Sequence, residues 1–411
     1  MSAEELHLGV AEVLPRDELY KLRATYFPLG KIGGRPSWLN PVQVPTAGDL
    51  KCEVCEKSMS FVIQLYAVSP NDPAQAFHRY LYVFVCRNGE CSQQNKSGNV
   101  KVLRQQLPRK SPYHGESPLD PHIEVEDRKE FDGGEKSSKL CNTCGVRAGS
   151  KCGKCSTWYC SKDHQVIDWR AGHKEQCGKS AEAKLENNME DECNATKYSV
   201  FAAPPPNPFL FKEFGLKIIK DYVPKVDLAP IPDNKSDPAA GDDEDSDESD
   251  EDDEESEDFK REQQDQYEQL MEKLKQDGLD DPSANGLADT VHNEQRDRYF
   301  KRFSRLVQRC PDQVLRYARN KQPLRPSDHS NMDSPVPKCE SCGAERTFEF
   351  QLMPHLLSLM EVDTLETSVD WATVCVYTCS KACSTARNGF LFEHAVKHDF
   401  IETRTQPEGE D

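Results

Sequence analysis

Two kinds of apolar pattern alternate along this chain of 411 residues. Short β-branched and aromatic runs of strand length stand at Phe61–Ala67 (FVIQLYA) and Arg79–Cys86 (RYLYVFVC), and the same style returns over Pro335–Phe400. Helical patterns lie between them, at Phe259–Gln276 and Glu294–Arg309. The second puts Tyr299, Phe303, Leu306 and Val307 on one face. Pro311 interrupts that pattern, and Asp312–Arg319 (DQVLRYAR) reads as one or two further helical turns. Leu8–His114 reads as a β-rich half-domain, with Gly33, Gly34 and Pro36 punctuating its turn-rich Gly30–Leu39. Gly115–Lys139 is a polar linker, Ser180–Glu192 a charged helical exit, and Phe209–Val223 a strand pair. Asn234–Asp258 carries too little apolar surface to fold and is expected to be disordered.

The β-rich ends share an order. Cys52-x2-Cys55 precedes a strand with Phe61 and Gln64, then a strand ending at Cys86, then Cys91. Cys339-x2-Cys342 precedes a strand with Phe348 and Gln351, then a strand ending at Cys379, then Cys383. The repeat predicts an internal duplication; two independent knuckles with similar flanks are the plainer alternative. The expected fold class is therefore α+β, a duplicated β-rich domain split by inserts. Its parts are an N-terminal half over 1–115, a linker over 116–139, a finger over 140–178, a connecting segment over 179–233, an acidic run over 234–258, a helical segment over 259–330 and a C-terminal half over 331–411.

Charge changes this picture at one place. The formal net charge is −19, but Asp242–Asp258 alone holds 14 acidic residues and no basic one, which leaves −5 on the rest. The folded parts are nearly balanced, and an acidic chain is a poor candidate for direct DNA binding. No apolar run approaches a membrane span of about 20 residues. Met1–Leu8 lacks the cationic and apolar regions of a secretory signal. A reducing compartment is expected, where thiols stay thiols.

There are 17 cysteines, most of them in short-spaced pairs, which in that setting reads as metal ligation. From Cys141 the order is Cys141-x2-Cys144, Cys152-x2-Cys155, Cys160-x3-His164 and His173-x3-Cys177. Those eight donors match two tetrahedral zinc sites. A two-residue gap lets one turn aim both thiolates at an ion, and a three-residue gap stacks ligands on one helical turn. Spacing alone allows sequential or interleaved pairing. So short a segment cannot build an adequate core, so the metal should supply its folding free energy. Cys52, Cys55, Cys86 and Cys91 form a candidate third site, and Cys339, Cys342, Cys379 and Cys383 a fourth, with reduced structural thiols as the alternative. Cys193, Cys310 and Cys375 are left over, Cys375 as a buried small hydrophobe. His394 and His398 have helical spacing and read as helix histidines without a metal.

The eight-donor pattern, with Trp158-Tyr159 before its helix and Asp168-Trp169-Arg170 after it, resembles a MYND finger. That resemblance implies interleaved ligand sets: Cys141, Cys144, Cys160 and His164 on one ion, and Cys152, Cys155, His173 and Cys177 on the other. His164 stands where such fingers usually carry Cys, and imidazole is an equally competent ligand. Leu8–Glu12, Lys31–Leu39, Cys52-x2-Cys55, Phe77–Arg79, Gln106–Lys110, Pro311–Tyr317 and Cys339–Met353 together resemble the programmed cell death protein 2 family over nearly the whole chain. Membership implies a protein of nucleus and cytoplasm that chaperones one nascent small-subunit ribosomal protein into the pre-40S particle. An acidic chain has physical reason to shield a basic client, with Asp242–Asp258 as the electrostatic candidate and a merely solubilising linker as the alternative. No cofactor loop, nucleophile elbow or phosphate loop accompanies the zinc sites, so no enzyme is expected. The competing expectation is a transcriptional adaptor whose finger docks proline-containing corepressor peptides.

Overall fold

A computed structural model describes residues 3–23, 30–113, 137–178, 207–225, 231, 297–328, 330, 332, 334–362, 367–385 and 389–400. The acidic run, the Phe259–Gln276 pattern, the Ser180–Glu192 exit, Cys193 and most of the Gly115–Lys139 linker lie outside these residues.

Ten strands close into one barrel. They are β1 (Ala3–Glu12), β2 (Gly30–Ile32), β3 (Ser60–Tyr66), β4 (His78–Val85), β5 (Val100–Leu107), β8 (Phe214–Pro224), β9 (Gln313–Tyr317), β10 (Arg346–Leu352), β11 (Thr373–Cys379) and β12 (Leu391–His398). Along the wall the order is β1-β8-β2-β3-β4-β5-β12-β11-β10-β9. Two four-strand runs, β2 to β5 and β9 to β12, thus meet where β5 pairs β12. β1 and β8 pair antiparallel over ten residues and close the gap on the far side.

Burial explains why the central strands read as near-continuous apolar runs. Leu81, Val83 and Val85 of β4 join Val314, Phe350, Leu352, Val374 and Val376 in one interior core fed by both runs. Tyr80, Tyr82 and Phe84 point outward into a second core with Trp38 and the finger's Cys141, Val146 and Tyr159. On the other side, α3 (Arg298–Gln308) lays Phe303 and Leu306 over Phe348, Cys375 and Tyr377. A strand buried on both faces loses the polar alternation that marks a half-exposed one. Asp297 caps α3 by accepting from the Phe300 N–H at 2.9 Å, and it ties the helix start to the Ser327 hydroxyl at 2.6 Å.

A glutamine plays the same part in each run. Gln64 accepts from the Ser37 N–H at 2.8 Å and donates to the Ser37 carbonyl at 3.3 Å; Gln351 does the same to Leu324 at 2.7 and 3.2 Å. Both are fully buried. Gln351→Leu would strand a buried N–H and C=O together, and a loss of about 3 kcal/mol is expected in a urea titration.

Three expectations need correction. Asp312–Arg319 is not helical: Gln313–Tyr317 is β9, paired with β1 and β10. The Phe209–Val223 region holds one strand, β8, whose partner β1 lies some two hundred residues earlier in the chain. His394 and His398 lie on β12, not on a helix. The expected α+β makeup becomes, among the described residues, a β-barrel with a few short helices, none long and apolar enough to cross a membrane.

Candidate metal centres

All four Cys-x2-Cys segments fold into the same turn. The N–H of the first cysteine donates to the carbonyl five residues on: Cys52 to Lys57, Cys141 to Val146, Cys152 to Thr157 and Cys339 to Ala344, at 2.8–2.9 Å. In three of them the carbonyl of that cysteine accepts from the N–H four residues on, at Glu56, Gly145 and Gly343. These three residues have φ of 57°, 77° and 70°, the left-handed conformation that closes so tight a turn. The turn leaves both sulfurs facing the same side.

In the finger, β6 (Ser150–Lys151) and β7 (Trp158–Tyr159) pair, and α1 (Lys162–Asp168) follows. Ser161 caps α1, its hydroxyl accepting from the His164 N–H at 3.2 Å, and the first turn sets Cys160 and His164 on one side. A second short helix, α2 (Lys174–Gln176), separates His173 from Cys177. The donors gather in the interleaved arrangement: Cys141, Cys144, Cys160 and His164 in one group, Cys152, Cys155, His173 and Cys177 in the other.

The flanking residues gather too, as Cys52, Cys55, Cys86 and Cys91, and as Cys339, Cys342, Cys379 and Cys383. Within every group the ligand atoms lie within 4.8 Å of one another. The donor spacing fits zinc. Thiolates about 2.3 Å from a tetrahedral ion stand about 3.8 Å apart, whereas a disulfide would bring them to about 2.0 Å. The Sγ···Sγ distances are 3.7 Å for Cys144–Cys160 and Cys152–Cys177, 3.6 Å for Cys55–Cys86 and Cys339–Cys383, and 3.5 Å for Cys342–Cys379.

The two histidines present different atoms. His164 turns Nδ1 to Cys160 and Cys141, at 3.1 and 3.7 Å; His173 turns Nε2 to Cys155, at 3.5 Å. The free face of His173 looks toward Asp168, with Nδ1 at 3.8 Å from the carboxylate. Asp168 is fully buried and also accepts from the Tyr159 hydroxyl and from Asn142 Nδ2, at 3.1 and 3.0 Å. Burial and this carboxylate push the Tyr159 phenol well up from its ordinary value, so it stays a donor. Asp168 therefore joins the residue beside Cys141 in one site to a ligand of the other. Its sequence signal was only a position within the resemblance. Asp168→Ala is expected to lower zinc affinity at the second site about 10- to 100-fold, as measured by competition with a chromophoric chelator.

Two of the remaining thiols are placed. Cys375 is fully buried in the core under α3, and burial pushes its thiol well up. Cys310 is half-buried just beyond α3. His394 and His398 join no metal group among the described residues; burial lowers His398 to about 4 and keeps it neutral.

The finger is not a free module. The Trp38 indole N–H donates to the Gly145 carbonyl at 2.7 Å, Arg35 donates to the Asn142 carbonyl at 3.1 Å, and the His164 ring meets Phe209 at 4.3 Å between centroids. Fold and site together define a class: a zinc-finger protein whose MYND finger is packed on a β-barrel. The MYND finger family matches residues 141–177. The N-terminal domain of programmed cell death protein 2 matches residues 5–121, and its C-terminal putative domain matches residues 297–401. Programmed cell death protein 2 of Bos taurus is 31% identical over 407 residues, covering 98% of both chains. Programmed cell death protein 2-like of Mus musculus is 26% identical over 369 residues, 86% of this chain and 85% of that one. The Probable 20S rRNA accumulation protein 4 of Schizosaccharomyces pombe is 34% identical over 112 residues, 25% of this chain and 27% of its own. The chain belongs to the programmed cell death protein 2 family. No solved structure matches it.

Proposed function

We propose that this protein is a non-catalytic adaptor that chaperones a nascent small-subunit ribosomal protein during 40S ribosome biogenesis. The observation that carries the reading is the similarity to the Schizosaccharomyces pombe protein whose name ties it to 20S rRNA accumulation, alongside relatives that span the whole chain. Electrostatics supports it. A ribosomal protein awaiting rRNA is a strongly basic client, and a chain of net charge −19 attracts it over a long range. The four donor groups each offer a zinc ion four protein ligands, and closed sites of that kind are structural rather than catalytic. We read all four as zinc sites, two in the finger and two beside it, and place the protein in cytoplasm and nucleus. The wall order, the matched Cys-x2-Cys turns and the paired Gln64 and Gln351 contacts support an internal duplication with the finger and acidic run inserted.

The competing reading, a corepressor adaptor working through the finger, draws on the MYND match. Against it, the side of the finger carrying Cys141, Gly145 and Val146 is spent on the barrel. Affinity purification of the full chain from translating cells, with quantitative mass spectrometry, separates the two. A single small-subunit ribosomal protein at near-equal amount is expected, with recovery falling as salt is raised. Recovery of chromatin corepressors and no ribosomal protein would overturn the proposal.

A further inference from the structure

The two four-cysteine groups beside the finger do more than tie off their own strands. Each sits at the root of a loop that reaches across to the other run of the barrel. The loop after β4 carries Cys86 and Cys91. Its Ser92 hydroxyl donates to the Asp370 carbonyl at 3.0 Å and accepts from the Asp370 N–H at 3.1 Å. Its Asn95 exchanges two hydrogen bonds with Asp399, at 2.6 and 2.9 Å, and its Ser97 hydroxyl accepts from the Lys397 N–H at 2.8 Å. A Cβ on Gly89 would stand 2.2 Å from the Thr367 carbonyl oxygen, so only glycine allows this approach.

The loop after β11 mirrors it. It starts from Cys379 at the end of β11 and carries Cys383, whose carbonyl accepts from Arg104 Nη1 at 2.8 Å and from Gln106 Nε2 at 3.0 Å. Gln106 also donates to the Ala382 carbonyl at 3.0 Å, and the Thr385 hydroxyl donates to the Gln106 carbonyl at 3.2 Å. A Cβ on Gly389 would stand 2.2 Å from that of Gln43. Arg104 Nη2 lies 3.6 Å from Cys383 Sγ, and Arg104 Nε pairs at 2.6 Å with buried Glu393, which accepts from the Cys379 N–H at 3.1 Å.

These loops flank a short joint in the wall. β5 and β12 pair at three residues, whereas β4 and β5 pair at eight. Three pairs are a weak join on their own, and the crossed loops supply most of the polar contacts around it. A loop of this kind holds another strand only if its own root is fixed, and a four-cysteine donor group lies at the root in each case.

We propose that the flanking four-cysteine sites are crossed clamps: zinc in each fixes the loop by which its run of the barrel holds the other, so that closure of the barrel at β5 and β12 depends on metal. This rests on reading those groups as zinc sites, and the test keeps the two apart. Zinc per chain is counted by native mass spectrometry of the full protein, and hydrogen exchange is followed peptide by peptide. The wild type is expected to carry four ions. Cys383→Ser is expected to carry three and to exchange about tenfold faster in β5, which lies in the other run. Cys91→Ser is expected to do the same at 367–370 and 397–399. Gln106→Ala keeps every ligand; it should keep four ions while exchange rises in β5 and over 379–385. Two ions in the wild type would overturn the zinc reading and the clamp with it. Three ions in Cys383→Ser with β5 unchanged would overturn the clamp alone. If either cysteine variant exchanges fast throughout, Gln106→Ala decides, and unchanged protection there overturns the clamp.

Discussion

Cys160→Ser is expected to release one zinc ion from the chain and to unfold the finger around the lost site. Cys160 Sγ lies 3.7 Å from Cys144 Sγ and 3.1 Å from His164 Nδ1, at the centre of its donor group. The segment 141–177 has little apolar material of its own; its buried Cys141, Val146 and Tyr159 belong to a core shared with the barrel. Structural zinc binding contributes about 10–16 kcal/mol in small finger peptides, so losing a ligand outweighs any packing the finger retains. The damage should spread outward. Trp38 is 2% exposed, and its indole donates to Gly145, the residue that closes the Cys141 turn. Unfolding the finger would wet Trp38, Tyr82 and Phe84 together, and the expected loss is roughly 5 kcal/mol or more. Zinc stoichiometry, tryptophan emission and guanidinium unfolding measure the three parts separately. An unchanged zinc count would remove Cys160 from the ligand set, and zinc loss without a tryptophan change would mean that the finger does not depend on that ion for its seat.

The ligand sets were legible in the sequence because metal chemistry constrains spacing locally. A Cys-x2-Cys turn closes within six residues, and in all four turns the first cysteine's N–H donates to the carbonyl five residues on. β3 and β4 were legible as well, since they hold seven and eight consecutive strand residues. β9 was not. Its five residues, QVLRY, lie beyond a helix and a proline, and a short apolar run has no period long enough to separate helix from strand. The matter is settled by β1 and β10, which flank it in the wall. β1 itself, AEELHLGVAE, offers half-polar alternation that becomes a strand because β8 arrives to pair with it. What local pattern hides most completely is buried charge. Arg104, Glu393, Arg79 and Glu349 look like surface residues in the sequence, and each is at least nine-tenths buried. Their partners are hundreds of residues away, so nothing near them in the chain announces the pairing.

The Arg79–Glu349 pair is where that hidden charge should matter most. β4 and β10 are separated by three strands in the wall, so the pair spans the interior. Arg79 donates from Nη1 and Nη2 to the two Glu349 oxygens at 2.5 and 2.6 Å, and from Nη1 to the Ala67 carbonyl at 2.7 Å. Glu349 also accepts from the Tyr317 hydroxyl at 2.9 Å and from Thr378. Burial pushes the Glu349 carboxyl up, but Arg79 more than offsets this and holds its pKa at about 2, below an ordinary 4.5. A carboxyl depressed in the folded state stabilises the fold above its unfolded pKa, and the gain fades as pH falls from about 4.5 toward 2. Its size is about 3 kcal/mol. Glu349→Ala removes the counter-charge and leaves Arg79 uncompensated in the interior, so a loss of about 3–5 kcal/mol is expected at neutral pH. The same variant should lose this part of the acid sensitivity between pH 4.5 and 2. Buried ion pairs are often no better than apolar residues of equal volume, so the double change Arg79→Met with Glu349→Leu should recover most of what Glu349→Ala loses. Urea unfolding of wild type, Glu349→Ala and the double variant at pH 7 and pH 3.5 tests all of this. If the double variant is as unstable as Glu349→Ala, the stranded charge is not the cause, and the barrel instead depends on the hydrogen bonds that Glu349 accepts from Tyr317 and Thr378.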